Sequence, residues 1–230
     1  MGNLTAARGH QRADYQKRIT SPGAMSFSES QSPPLNSPRY EVARLAAYGE
    51  DVFISANVEI RRPHLCRLGS HIAIDTGFYC TTAALLGDYI HIGPYVTVIG
   101  GASAVLRMAG FNTVGAGSRL LCASDEFLGA GLTGIAPAEF RDVVHVEPIV
   151  FEAFASVGTN VVVHPGVTLA EGSVIGSCSL VTKSTEPWTI YRGVPAQPWK
   201  ERARAKMIES AHRLGYTQFG TVPPPPPTGQ

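Results

Sequence analysis

The stretch Val157-Gly-Thr-Asn-Val-Val-Val-His-Pro-Gly-Val-Thr-Leu-Ala-Glu-Gly-Ser-Val-Ile-Gly-Ser-Cys-Ser-Leu-Val-Thr-Lys183 places an aliphatic residue at every sixth position: Val157, Val163, Leu169, Ile175 and Val181. A helix repeats at about 3.6 residues and a half-buried strand at about two, so neither produces this beat. A six-residue unit forms one short strand and a corner, and three units close a triangular coil whose apolar positions stack into a dry column. The competing architecture, an antiparallel sandwich, demands alternation and irregular turn spacing.

The same beat extends toward the N-terminus. Leu68, Ile74, Cys80, Leu86, Ile92 and Val98 follow it without interruption, with Ile54 and Ile60 ahead of them. Met108, Val114 and Leu120 resume it after a short insertion around Gly100-Gly101-Ala102-Ser103, and Phe151 restarts it before Val157. Counting units gives roughly five coils. Glycine follows the aliphatic residue at Gly69, Gly87, Gly93, Gly115, Gly158 and Gly176, which suggests corners that need positive φ. An all-β fold follows, a parallel β-helix of hexapeptide repeats.

Two dozen residues between Leu120 and Phe151 leave the register, so an excursion loop is expected over about 122–148. A solenoid accommodates such a segment only as a loop projecting from one corner, and loops on rigid scaffolds are where binding groups gather. The β-helix domain is expected over 39–196. It is preceded by a flexible Ser/Pro/Gln/Arg-rich arm over 1–38 and followed by a C-terminal α-helix over 197–216 and a Pro-rich tail over 217–230. Trp199, Ala203, Met207 and Ala211 recur every four residues as that helix's apolar face, with Trp188 and Trp199 read as packing residues.

The 19 basic and 18 acidic residues leave a net charge of +1, which supplies no field for a polyanion, so nucleic acid is an unexpected partner. No apolar run reaches the roughly 18–20 residues of a membrane span, and the N-terminus lacks an apolar signal segment, so a cytoplasmic protein is expected. Cys66, Cys80, Cys122 and Cys178 lack CxxC spacing and read as reduced, mostly buried hydrophobes.

The quoted stretch, continued by Pro187-Trp-Thr-Ile-Tyr-Arg-Gly-Val-Pro-Ala196, resembles the hexapeptide-repeat acyltransferases, including galactoside, maltose and xenobiotic acetyltransferases. His91-Ile-Gly-Pro-Tyr95, the Ser124-Asp-Glu-Phe loop and the Pro187-Trp188 ending look most like the sugar and polysaccharide O-acetyltransferases, over about residues 40–213. The resemblance implies a left-handed β-helix and a homotrimer. It also implies transfer of an acetyl or short acyl group from acyl-CoA to a hydroxyl or amine of a sugar or amino-sugar acceptor, in a cleft between subunits, with no metal. It maps the donor's arm onto Ala155, Gly158, Gly176 and Ser177, through backbone amides, and its nucleotide end onto Thr182, Lys183, Pro195 and Lys200.

Thioester transfer to a hydroxyl needs a base, and histidine is the usual one. Where the resembled enzymes place it, this chain reads Ala123-Ser124-Asp125-Glu126. Four substitutes present themselves. His91, in a Tyr-Ile-His pattern, is the first choice; His145, where the loop rejoins the coil, is the second. Asp125 and Glu126 stand at the loop entrance as base or acceptor-binding groups. His164 occupies an outward repeat position and reads as an exposed or interface histidine. Two other readings stay open: a non-catalytic β-helix scaffold, and a γ-carbonic-anhydrase-like metal site built by His91, His145 and His164 across subunits.

Overall fold

The structure, a computed structural model, describes residues 44–217. The arm expected over 1–38 and all but the first residue of the tail expected over 217–230 lie outside the described residues. What is described is a left-handed parallel β-helix with three faces. On the first, Ile54, Ile74, Ile92, Val114, Val157, Ile175 and Tyr191 stand in register. On the second, Leu68, Leu86, Met108, Phe151 and Leu169 do so. On the third the column is Ile60, Cys80, Val98, Leu120, Val163 and Val181. The beat of six read from the sequence is the contents of these columns, and all of them pack in one core.

Seven rungs stack on the first face, more than the roughly five coils counted from the sequence. The final rung escaped the count because Thr189–Arg192 carries Tyr191, not an aliphatic residue, at the core position and follows Ile175 after sixteen residues instead of eighteen. At the other end, Ala47 bridges Arg67 as a rung too short to show periodicity.

The glycines after the aliphatic residues serve a purpose different from the one expected. None of Gly69, Gly87, Gly93, Gly115, Gly158 or Gly176 has positive φ. They are small because coils touch there: a Cβ on Gly115 would lie 2.4 Å from the carbonyl carbon of Gly158, and one on Gly87 2.2 Å from the Ala109 oxygen. At one of the three corners, positive φ belongs instead to His71, Tyr89, Phe111, Phe154 and Trp188, at 50–63°. Non-glycine residues enter this region at a cost. Here it is offset by stacking, since successive rings are 4.5, 5.1, 5.0 and 5.8 Å apart.

The C-terminal helix, α1, occupies only Ala205–Arg213. Gln197–Glu201 is instead a strand antiparallel to Thr189–Arg192, with a bulge that shifts its register. Trp199 is accordingly not part of a helical stripe. It is half exposed, with the Arg192 guanidinium 4.2 Å and the Lys200 ammonium 5.4 Å from its ring centre. Met207, Ile208 and Ala211 of α1 do pack, against Phe154, Trp188 and Phe111 of the aromatic corner. Tyr216 fastens the helix by donating to Asp88 at 3.0 Å, its phenol pushed up to about 12 by burial and by that carboxylate. Among the described residues no helix is long and apolar enough to cross a membrane.

Buried polar groups stitch the coils across the excursion. Asn112 donates to the carbonyls of Glu152 and Ala155 at 2.8 and 2.9 Å and accepts from Gly110 N at 2.9 Å, so its amide is satisfied where two distant coils meet.

Gly115→Ala is expected to destabilise the protein by about 1–3 kcal/mol, because the coil spacing leaves no room for a methyl. Gly134→Ala, whose Cβ would meet nothing within 4 Å, is expected to be near neutral; urea midpoints of the two variants check the contrast. The cysteines offer a second check. Cys66, Cys80 and Cys122 are buried and Cys178 is exposed, and burial pushes the Cys122 thiol up to about 12. A colorimetric thiol titration at about pH 8 is expected to count one thiol in the native protein and all four after unfolding.

Candidate functional site

The chain leaves the third face just after Leu121 and rejoins the second at Ile149. Between these points Ala123–Asp125 pairs antiparallel with Val144–Val146, placing Ser124 opposite His145. Glu126 N donates to the Val143 carbonyl at 3.0 Å and extends this ladder by one step. Glu126 and His145 are thus diagonal neighbours on one side of the hairpin, close enough for their side chains to meet. They do: Glu126 Oε1 lies 2.9 Å from His145 Nε2. A neutral imidazole has one donor and one acceptor nitrogen. With Nε2–H donated to the carboxylate, Nδ1 is left as the proton acceptor.

Below the hairpin, a concavity of about 510 Å³ runs along the corner between the third and second faces. Asp125, Glu126, His145 and Glu147 line it from the excursion, and His164 and Thr182 from the two following coils. Of the base candidates, Asp125, Glu126, His145 and His164 therefore share one groove with one cofactor candidate, Thr182, and His91 does not. Lys183 follows Thr182 and is exposed. Pro195 lies in the terminal hairpin, which docks beside this edge through Ala196 N to the Leu180 carbonyl at 2.7 Å. Lys200 lies farther along that hairpin, by Trp199.

His91 is elsewhere. It stands on the outside of the first face, Nε2 2.9 Å from Asp75, and lines a larger concavity of about 780 Å³ between that face, the aromatic corner and α1. Its dyad has the same chemistry as Glu126–His145, but within one chain the structure does not bring the two together. Gly158, Gly176 and Ser177 lie at yet another corner, between the first and third faces, where Thr159 N donates to Ser177 Oγ at 3.1 Å. Two of the amides expected to face a donor are occupied: Gly158 N bonds the Ile175 carbonyl and Gly176 N that of Tyr191, both at 2.8 Å. Ala155 is fully buried in the core, so it supports the wall without offering a surface.

Glu147 was not read as a site residue from the sequence, and His164 was read there as an exposed or interface histidine. Glu147 immediately precedes the return to the coil, and its carboxylate lies over the His164-Pro165-Gly166 corner, 2.1 Å from where a Cβ on Gly166 would stand. Among the described residues no three His, Cys, Asp or Glu side chains gather closely enough to hold a metal.

No protein-family model matches the chain. It is similar to dTDP-4-amino-4,6-dideoxy-D-glucose acyltransferase of Escherichia coli, at 26% identity over 70% of this chain and 84% of that protein. A shorter similarity, 44% over 45 residues, joins it to the galactoside O-acetyltransferase of Escherichia coli, covering 20% of this chain and 22% of that one. Among solved structures, AntD, an N-acyltransferase from Bacillus cereus, superposes with a TM-score of 0.71 at 26% identity. In a mutant complexed with dTDP-4-amino-4,6-dideoxyglucose and coenzyme A, the match covers 75% of this chain and 91% of AntD. The complex of AntD with dTDP and 3-hydroxybutyryl-CoA matches equally, at a TM-score of 0.71 and 26% identity over 75% of this chain and 90% of AntD.

Proposed function

As a member of the hexapeptide-repeat acyltransferase superfamily, the chain is an acyl-CoA-dependent transferase, and we propose that it acylates the amine of a nucleotide-linked amino sugar. The observation that carries this reading is the match to AntD over nine-tenths of that enzyme, in complexes holding a dTDP-linked amino sugar and coenzyme A. The groove beneath the hairpin supplies what such a reaction needs: a histidine with a free ring nitrogen, a carboxylate that holds it, and an open edge along the coils. In this reading the site lies between neighbouring copies of a homotrimer. Both substrates are phosphate-bearing and poorly able to cross a bilayer, so the enzyme is a cytoplasmic one.

The reaction divides among the residues as follows. The acceptor nitrogen attacks the thioester carbonyl, and His145 Nδ1 takes the proton that the nitrogen must lose. Glu126 accepts the Nε2 hydrogen bond, fixing the tautomer and holding the ring over the groove. Asp125 receives the cationic or hydroxyl groups of the acceptor sugar. Thr182 and Lys183 border the donor's path, and the cations at Lys183, Arg192 and Lys200 suit its phosphates. Collapse of the adduct expels the coenzyme thiolate, which recovers the proton from His145.

The test is thiol release from acetyl-CoA and 3-hydroxybutyryl-CoA, with dTDP-4-amino-4,6-dideoxyglucose and simple sugars as acceptors. An amide product resists hydroxylamine, whereas an ester is cleaved, so the same assay separates N- from O-transfer. Failure to bind coenzyme A at millimolar concentration in calorimetry would overturn the reading in favour of a scaffold. His145→Ala is expected to lower kcat about 10²–10⁴-fold, and Glu126→Gln about tenfold, through loss of orientation. His91→Ala is expected to leave turnover within about threefold; a hundredfold loss there, with His145→Ala silent, would move the base to the other dyad.

A further inference from the structure

We propose that His164 is a second catalytic residue, donating a ring N–H to the thioester carbonyl oxygen as the acceptor nitrogen attacks. This role rests on the acyl-transfer reading above and adds to it the group that receives the developing negative charge.

The placement follows from register. Val163 pairs with Leu120 on one side and Val181 on the other. His164 therefore lies about one rung, roughly 4.8 Å, from the point where the chain leaves the coil to form the hairpin. It lies the same distance from Thr182 on the other side. Its side chain is half-buried and lines the groove that His145 and Glu126 enter from above. Gly166 gives the corner its tight turn at φ +77° and leaves space for the Glu147 carboxylate, which forms the wall beside it.

Hydrogen-bond supply in the groove then singles it out. Most nearby donors are spent on the fold: His164 N bonds the Val181 carbonyl at 3.0 Å, Glu147 N the Cys122 carbonyl at 3.1 Å, and Ser124 Oγ the Asp125 carbonyl at 3.2 Å. Asp125, Glu126 and Glu147 are carboxylates and would repel an oxyanion. His145 gives its Nε2–H to Glu126. The imidazole of His164 makes no hydrogen bond or ion pair among the described residues, so its N–H is available. Thr182, one rung farther from the hairpin, is exposed to water. A donor aimed at a developing oxyanion is usually worth a large part of the rate in acyl transfer.

The two histidines then act at different atoms. The acceptor nitrogen forms its bond to the carbonyl carbon while the carbonyl oxygen becomes an oxyanion, held by the His164 N–H. His145 Nδ1 removes a proton from that nitrogen. When the oxyanion collapses, the carbon–sulfur bond breaks and the thiolate takes the proton from the His145 imidazolium, so His164 ends the cycle with the proton it began with.

Steady-state kinetics of full-length His164→Ala and His164→Gln, with acetyl-CoA and dTDP-4-amino-4,6-dideoxyglucose, test the assignment. His164→Ala is expected to lower kcat about 10²–10³-fold, with KM for acetyl-CoA changed less than about threefold. His164→Gln keeps an N–H donor but no titrating nitrogen, and is expected to regain at least about tenfold over the alanine variant while leaving the shape of the pH–rate profile unaltered. A kcat for His164→Ala within about threefold of the unaltered chain, or a glutamine variant no better than alanine, would overturn the donor role. If the alanine variant fails to fold, the glutamine variant decides: activity within about a hundredfold of the unaltered chain sustains the role, and a greater loss ends it. Absence of transfer by the unaltered chain would overturn the acyl-transfer reading and this role with it, whereas transfer that survives in His164→Ala overturns this role alone.

Discussion

Everything in this molecule depends on adjacent coils lying one hydrogen-bonded rung apart. At about 4.8 Å between strands, each coil must return to the register of the one before it. Any side chain pointing along the axis at a corner must then be absent or must stack. The aliphatic columns fill the interior of that constraint, with Phe151, Met108 and Leu120 fully buried at its centre. The glycines satisfy it by having no side chain at contacts such as Gly115 on Gly158. The aromatic corner satisfies it by the opposite device, filling each level with a ring that packs flat on the next. Because the backbone ladder is continuous, an insertion cannot be absorbed within a face, so the excursion leaves and re-enters at one corner.

That exit gives the candidate site its rigidity. The hairpin Ala123–Asp125/Val144–Val146 is antiparallel, rooted in a scaffold that is otherwise almost wholly parallel. Its own ladder, not the coil, sets which side chains meet. The pairing of Ser124 with His145 leaves Glu126 one diagonal step away, which is why a carboxylate and an imidazole separated by nineteen residues form a 2.9 Å contact. Glu147 N closes the hairpin's base by donating to the Cys122 carbonyl at 3.1 Å, and Cys122 N ties that base to the coil by donating to the Ile99 carbonyl at 2.7 Å. A dyad on a free loop would spend most of its time out of alignment, whereas one on a two-stranded root is held near one geometry.

The columns were legible because the beat of six is a direct imprint of three-faced packing, and no short-range propensity competes with it. The coil count fell short where that imprint fades, at the Ala47 bridge and at the terminal rung, where Tyr191 replaces an aliphatic residue. The terminal helix begins later than the spacing of four suggests, because Met207 and Ala211 share its packed face while Trp199 and Ala203 precede it. The first belongs to a bulged strand whose tryptophan stacks against cations. At the site, Asp125, Glu126 and His145 could be nominated from position alone, at the two ends of the excursion. Which of His91 and His145 shares a groove with Asp125 and Glu126 depends on which face bears the exit. The sequence did hold a clue: His164 directly follows the column of Leu120, from which the excursion departs, while His91 directly precedes Ile92, in the column of Ile74 and Val114.

The three corners also differ in the chemistry they can host. One is filled by ring stacks and partly roofed by α1, with Met207, Ile208 and Ala211 set against it, so its depth is apolar and its dyad, His91–Asp75, stands at the rim. The second is close-packed at Gly158 and Gly176, whose amides already serve the ladder. Only the third combines an outward imidazole, a hydroxyl and an exit for a projecting hairpin. On the reading proposed above, a thioester along that corner would meet polar groups on successive rungs at regular spacing, with the hairpin's imidazole at one end. The regularity that makes the scaffold stable would thus also provide a straight track for a long donor. The largest break in that regularity, the excursion, would then provide the reactive end.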